Sequence, residues 1–196
     1  WAPTSTLSVS DMNFGYDGTL VLKNITLQAK GYQKIAIVGE SGAGKSTLLN
    51  LLGGFLRPNS GDFEIAGQTV PHFAQKDWQK QFFYMPQHPY IFHETLRDNI
   101  TFYAPQASDA AVTAAIEQAG LQSLVATLPD GLDTVMGESG RQVSGGQAQR
   151  IALARMLLDE QRHVLLFDEP TAHLDIETEY ELKQTIAPIL ANHLVF

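Results

Sequence analysis

The chain contains no cysteine. That excludes a disulfide framework and any thiolate metal site, and it fits a reducing compartment. Long hydrophobic runs are missing as well. Stretches such as Val164 to Phe167 are short, and none approaches the roughly 20 apolar residues of a membrane-spanning helix. Positive charge is scarce: 13 Lys and Arg stand against 21 Asp and Glu, a formal net charge of −8. Non-specific nucleic-acid binding needs clustered cations, so nucleic acid is not expected as a partner. There is no internal repeat and no low-complexity tract. The opening Trp-Ala-Pro-Thr-Ser-Thr lacks the charged and apolar regions of a signal peptide and is expected to be a linker or a cut end.

What is present is a chain of 196 residues, 44% of them hydrophobic, enough to bury a substantial core. The first 35 residues alternate and turn like β structure, with Tyr16-Asp17-Gly18 as a turn. Ile35 to Val38 is a continuous apolar run, which predicts a strand buried on both faces. Leu48, Leu49, Leu51 and Leu52 predict a helix that ends at Gly53-Gly54. Residues 61–70 read as a strand pair turning at Ala66-Gly67. Ser108 caps a helix carrying Val112, Ala115, Ile116 and Ala119, and Gly120 stops it. A further helix begins at Ser144, Val164 to Phe167 is a buried-type strand, and a last helix over 176–191 meets Pro188. The fold class is therefore α/β: a nucleotide-binding core from 1–87 and 161–196, with an antiparallel β subdomain, and a helical insert over 88–160.

Gly39-Glu40-Ser41-Gly42-Ala43-Gly44-Lys45-Ser46 matches G-x-x-x-x-G-K-[ST] between a strand and a helix, as the phosphate-binding motif requires. Glycines let backbone N–H groups turn inward onto phosphate oxygens, and the helix start adds its positive end. In this arrangement Lys45 reaches the β- and γ-phosphates, the Ser46 hydroxyl ligates Mg²⁺, and Thr47 contacts the α-phosphate. A chance match somewhere in the chain is on the order of 1% at average residue frequencies. Asp168 and Glu169 follow the apolar run 164–167, at the strand end where open α/β sheets bind ligands. Asp168 is a candidate Mg²⁺ ligand, and Glu169 a candidate base for an attacking water. Alone, an apolar run ending in Asp-Glu is more often an ordinary strand end, so its weight comes from the phosphate loop. Ser144-Gly145-Gly146-Gln147 places a hydroxyl and two glycines at a second helix start, another anion site.

Together these motifs resemble the nucleotide-binding domain of ABC transporters over essentially the whole chain. Val143 to Gln147 is similar to the family signature, with Val in place of the usual Leu. The resemblance implies that two such domains pack head-to-tail, each ATP lying between the phosphate loop of one and the signature of the other. It implies adenine stacking for Tyr16, with a turn tyrosine packed on the sheet as the competing reading. For Gln87, in Tyr-Met-Pro-Gln-His-Pro, it implies contact with Mg²⁺ and the attacking water, and sensing of the membrane domain. Thr171-Ala172-His173-Leu174-Asp175 matches the loop that couples the two sites, although His173 is bulkier than the family's usual residue and reads equally as a surface residue.

Two further stretches are similar to exporters. One is Ile91 to Ile100. The other is Thr134 to Gly140, whose Glu138 takes the position that contacts the cytoplasmic loops of the membrane domain; an acidic surface loop is the competing reading. Ser-Gly-Gly-Gln-Ala-Gln-Arg with Asp-Glu-Pro-Thr-Ala-His-Leu-Asp resembles the bacterial thiol exporters needed for cytochrome bd assembly, which work as heterodimers. The implied partners are a second ATPase domain, identical or not, and a transmembrane domain, at the cytoplasmic face of the inner membrane. The alternatives are a soluble ABC ATPase of DNA repair or translation, and a regulatory half of a heterodimer. The family also carries a γ-phosphate histidine at the end of a strand that begins only at the last residues here. His193 precedes that strand and is not assigned the role. These 196 residues are expected to bind ATP and hydrolyse it slowly.

Overall fold

The computed structural model describes residues 1–138, 140–159, 161–171 and 176–196. Contacts divide the chain into two units, Trp1–Tyr84 with Gln161–Asp168 and Ile189–Phe196, and Met85–Glu160 with Glu169–Pro188. Antiparallel and parallel sheets are both present, so the class is mixed α/β.

The first unit opens with a long hairpin, β1 (Thr6–Tyr16) and β2 (Thr19–Lys30). Its two turn residues, Asp17 and Gly18, have φ of 48° and 82°, the left-handed pair that a tight hairpin needs. Leu7 and Val9 are buried, and so are Met12 and Phe14, so the buried face moves from odd to even positions. A one-residue slip would normally turn a strand inside out. Register irregularities between Val9 and Met12 absorb it, with Asp11 at φ 51°, which is how a bulge re-aims side chains. β3 (Ser60–Ile65) pairs on the other side of β1, and β4 (Gln68–Val70) pairs with β3 through a turn at Ala66-Gly67.

Helix α1 (Lys45–Leu52) buries Leu49, Leu51 and Leu52, and stops at Gly53-Gly54. Gly54 has φ 67°, and a Cβ there would stand 2.4 Å from the Phe73 carbonyl oxygen, so only glycine fits. The single turn α2 (Lys76–Gln79) buries Trp78, whose Nε1 donates to the Leu52 carbonyl at 2.7 Å. That bond satisfies one of the carbonyls left over at the end of α1. A second sheet has the order β5 (Phe82–Met85), β6 (Val164–Phe167) and β7 (Leu194–Val195). β6 and β7 run parallel with Val164 opposite Leu194. The core joins Leu7, Val9, Met12, Leu52, Phe63, Trp78, Leu166 and Leu194.

The expectation for Ile35 to Val38 is corrected. Lys34 makes an isolated parallel bridge to Val195, and Ile35 N donates to the Val195 carbonyl. Residues 35–40 form no strand, and Val38 is 90% exposed. Only Ile35 and Ile37 pack on the core, giving half-burial instead of burial on both faces.

The second unit is helical: α3 (Leu96–Ile100), α4 (Asp109–Gln118), α5 (Gln122–Thr127), α6 (Gly145–Leu157) and most of α7 (Ile176–Leu190), with a short 3₁₀ turn at Gly131–Asp133. Ser108 caps α4 by accepting from the Ala111 amide, and Gly120 follows its end with φ 66°. α6 packs against α3 and α4. It buries Ile151, Leu153 and Met156 together with Ala148, Ala152 and Ala154, and the small residues let neighbouring helices approach. α7 runs through Pro188, which falls in its last turn. Among the described residues no helix is long and apolar enough to cross a membrane.

Candidate functional site

In the first unit the phosphate loop is held open by glycine. Gly42 and Gly44 have φ of 80° and 92°, and a Cβ on Gly44 would meet Leu22 at 2.9 Å. The Ala43 amide donates to the Glu40 carbonyl at 3.2 Å, turning the loop over Ser41. Lys45 Nζ donates to the carbonyls of Gly39 and Glu40, each at 3.0 Å. Its ammonium is thus parked on loop carbonyls beside the helix start. Ser46, in the first turn of α1, donates from Oγ to Asp168 Oδ1 at 3.0 Å. Thr47 follows, half-buried.

Asp168 has a second neighbour that sequence reasoning missed. The Tyr84 hydroxyl stands 3.5 Å from Oδ2. Burial first, and then the Asp168 charge, push the Tyr84 phenol up to about 12. Tyr16 packs its ring edge-on to Phe14, 4.9 Å between centroids, and stays 49% exposed.

In the second unit Glu169 has φ 50°, a conformation that costs a non-glycine residue energy and tends to persist at functional sites. Gln87 Nε2 lies 3.5 Å from Glu169 Oε2, so these two candidates form a second group. Ser144 and Gln147 make a reciprocal capping box: Gln147 N donates to Ser144 Oγ at 3.2 Å, and Ser144 N to Gln147 Oε1 at 3.0 Å. Gly145 faces open space, so a ligand could approach the helix start ahead of Gly146. A cavity of about 460 Å³ is lined by Gln87, Tyr90, Glu138, Gln142, Ser144 and Gln149, among others.

The stretches 91–100 and 134–140 turn out to be paired. Thr95 and Val135 form an antiparallel bridge, Leu96 N donates to the Thr134 carbonyl, and Met136 N donates to the Glu94 carbonyl. Asn99, fully buried, accepts from Phe92 N and donates to the carbonyls of Phe92 and Thr95. Arg155 of α6 donates to Asn99 and to the Tyr90 carbonyl. Burial lowers its guanidinium to about 10, leaving it cationic at neutral pH. Neither residue was singled out by motif. Of the segment 171–175, Thr171 Oγ1 donates to Glu179 at 3.3 Å; Ala172 to Asp175, and Ser139 in the other stretch, lie outside the described residues.

The donor set fits Mg²⁺. Ser46 and Asp168 present two hard oxygens 3.0 Å apart. Among the described residues no group of three or more His, Cys, Asp or Glu could cage a metal alone. Mg²⁺ is usually held this way, by one or two protein oxygens plus water and substrate phosphates. His193 has its Nδ1 2.6 Å from the Ile189 carbonyl and serves the end of α7.

A family model described as ABC transporter matches residues 22–172. The chain belongs to the ABC transporter family. It is 51% identical, over all 196 residues, to the glutathione/L-cysteine transport system ATP-binding/permease protein CydC of Bacillus subtilis, spanning 34% of that protein. It is 38% identical over 181 residues to the mitochondrial iron-sulfur clusters transporter ATM1 of Candida glabrata, covering 92% of this chain and 25% of the relative. Against the ATP-dependent lipid A-core flippase of Neisseria gonorrhoeae the figures are 36% over 182 residues, 93% and 29%. A solved bacterial Atm1-family ABC exporter with ATP bound superposes with a TM-score of 0.87 at 35% identity, over 100% of this chain and 34% of that one. The chain thus spans about a third or less of these proteins.

Proposed function

We propose that this chain is the ATP-binding and ATP-hydrolysing domain of an ABC exporter, with 1–87 and 161–196 as its nucleotide core and 88–160 as its helical subdomain. The observation that carries the reading is the 3.0 Å contact of Ser46 Oγ with Asp168 Oδ1 beside an open glycine loop. Residues 122 positions apart meet there, in the pairing that metal-assisted phosphoryl transfer needs.

ATP is the substrate. Its phosphates lie on the backbone amides of 39–47, Tyr16 stacks on the base, and Lys45 leaves the Gly39 and Glu40 carbonyls for the β- and γ-phosphate oxygens. Ser46 and Asp168, with Gln87 as the family resemblance implies, would hold Mg²⁺, which would supply neutralisation of phosphate charge. Glu169 accepts a proton from water as the water attacks the γ-phosphorus, giving ADP and inorganic phosphate. Ser144, Gly145, Gly146 and Gln147 present their helix start to the nucleotide of a second, head-to-tail ATPase domain. Slow turnover by these 196 residues alone belongs to the same reading, because the γ-phosphate histidine is not matched within them.

In the whole protein the motion passes through Gln87 and Glu138 to a transmembrane domain at the cytoplasmic face of the membrane. Their sharing of one cavity supports this. The 51% identity to a glutathione/L-cysteine transport protein supports a small thiol as cargo. The test is calorimetry of ATP with Mg²⁺ on the protein and on Lys45→Ala, with phosphate release in parallel. Binding that weakens about 10- to 100-fold in the variant is expected, since a charge-assisted contact is lost. No binding by the folded parent protein overturns the reading.

A further inference from the structure

We propose that Tyr84 is a positioning residue for the metal-binding carboxylate: its hydroxyl anchors Asp168 Oδ2 while Ser46 anchors Oδ1, fixing the rotation of the carboxylate before Mg²⁺ arrives. The inference rests on the Mg²⁺-ATP reading above.

The placement follows from the sheet. β5 and β6 are neighbours, and neighbouring strands lie about 4.8 Å apart. A residue near the end of β5 therefore sits beside the residue that follows β6, which is Asp168. Phe82, Phe83 and Met85 of β5 are buried, whereas Tyr84 is half-buried. Packing alone would accept any apolar side chain there, so the hydroxyl is surplus to the core.

The ring has an aromatic neighbour. Phe55 packs edge-on against it at 5.3 Å, and Phe82 holds Phe55 in turn at 5.8 Å. A partly buried tyrosine hydroxyl ordinarily finds a polar partner, and here Asp168 is that partner, at 3.5 Å. The distance is longer than a tight O–H···O bond, and contacts of this kind shorten when a site loads. A phenol hydroxyl carries its proton at neutral pH, so the group is a donor there.

Asp168 thus takes one hydroxyl from α1 and one from β5. When Ser46 turns a lone pair to the cation, Tyr84 still holds the carboxylate. Partners of metal ligands act in this way, by fixing the orientation of the ligand.

The test is Tyr84→Phe, which keeps the ring and removes only the hydroxyl. The dissociation constant of a fluorescent, non-hydrolysable ATP analogue is measured in EDTA and with Mn²⁺, on the parent and the variant, with thermal unfolding alongside. The expected result is unchanged affinity in EDTA and a metal-dependent gain that shrinks roughly 3- to 10-fold, as for one lost hydrogen bond. Equal gains in parent and variant would overturn the inference and leave the nucleotide reading standing. Loss of affinity in EDTA together with a lower unfolding temperature would also overturn it, since the tyrosine would then support only the fold. A folded parent that binds the analogue under neither condition overturns the nucleotide reading and this inference together.

Discussion

Arg155 of α6 grips Asn99 of α3 twice, with Nε on the main-chain carbonyl at 2.5 Å and Nη2 on the side-chain Oδ1 at 2.8 Å. A third donor, Nη1, reaches the Tyr90 carbonyl at 2.9 Å, and the guanidinium lies 5.2 Å from the Phe92 ring centroid. The rigid fork of arginine serves three acceptors at once. It ties the helix capped by Ser144 to the stretch that follows Gln87, and Asn99 passes the tie on to Phe92 and Thr95.

Arg155→Met is expected to lower stability by about 2–4 kcal/mol, because buried carbonyls lose their donor. Arg155→Lys loses nearly as much, since an ammonium cannot span the three acceptors. Urea unfolding checks both. The guanidinium is lowered by burial only to about 10. It stays protonated in folded and unfolded chains between about pH 6 and 9. The loss should therefore not vary with pH in that window.

Glu169→Gln keeps the shape of the side chain and removes the proton acceptor. Phosphate release should fall about 10²- to 10⁴-fold, while the affinity for ATP with Mg²⁺ stays close to that of the parent. Calorimetry and a phosphate assay on the same samples separate the two effects. A variant that still releases phosphate at the parent rate would remove Glu169 from the mechanism.

Ser144→Ala breaks one half of the capping box and should cost about 1 kcal/mol. For a chain of this size that corresponds to a melting point lower by roughly 2–4 °C. If Ser144 also meets a second domain's nucleotide, ATP-dependent dimerisation should weaken beyond this. Sedimentation with and without ATP, at a temperature where both proteins are folded, reads the difference.

Gly137 has φ 91°, and a Cβ there would stand 3.1 Å from the Phe92 carbonyl oxygen. Gly137→Ala should therefore cost about 1–3 kcal/mol and loosen the pairing of the two stretches. Hydrogen exchange at the Leu96 and Met136 amides, which donate across that pairing, should quicken while amides of β1 keep their protection.

Local chemistry was legible in the chain. The turn at Asp17-Gly18, the stop at Gly53-Gly54, and the caps at Ser108 and Ser144 depend on backbone conformations and side chains within a few residues of each other. Sequence determined these directly, and it determined the glycine loop, whose left-handed turns only glycine adopts cheaply. It also placed Asp168 at the end of a buried strand, because four consecutive apolar residues suit a strand covered on both faces. The same rule misled at Ile35 to Val38, of which only Ile35 and Ile37 pack on the core. Burial there depends on what pairs alongside, which a run of residues does not state. Tyr84, Asn99 and Arg155 were invisible for a related reason. Their partners lie 84 and 56 residues away, and each would read as an ordinary core or surface residue in its own segment. Only the tertiary structure brings the end of β5 beside Asp168 and folds α6 over Asn99. Hydrogen bonds between distant segments depend on which strands and helices become neighbours, and that is settled by packing of the whole fold.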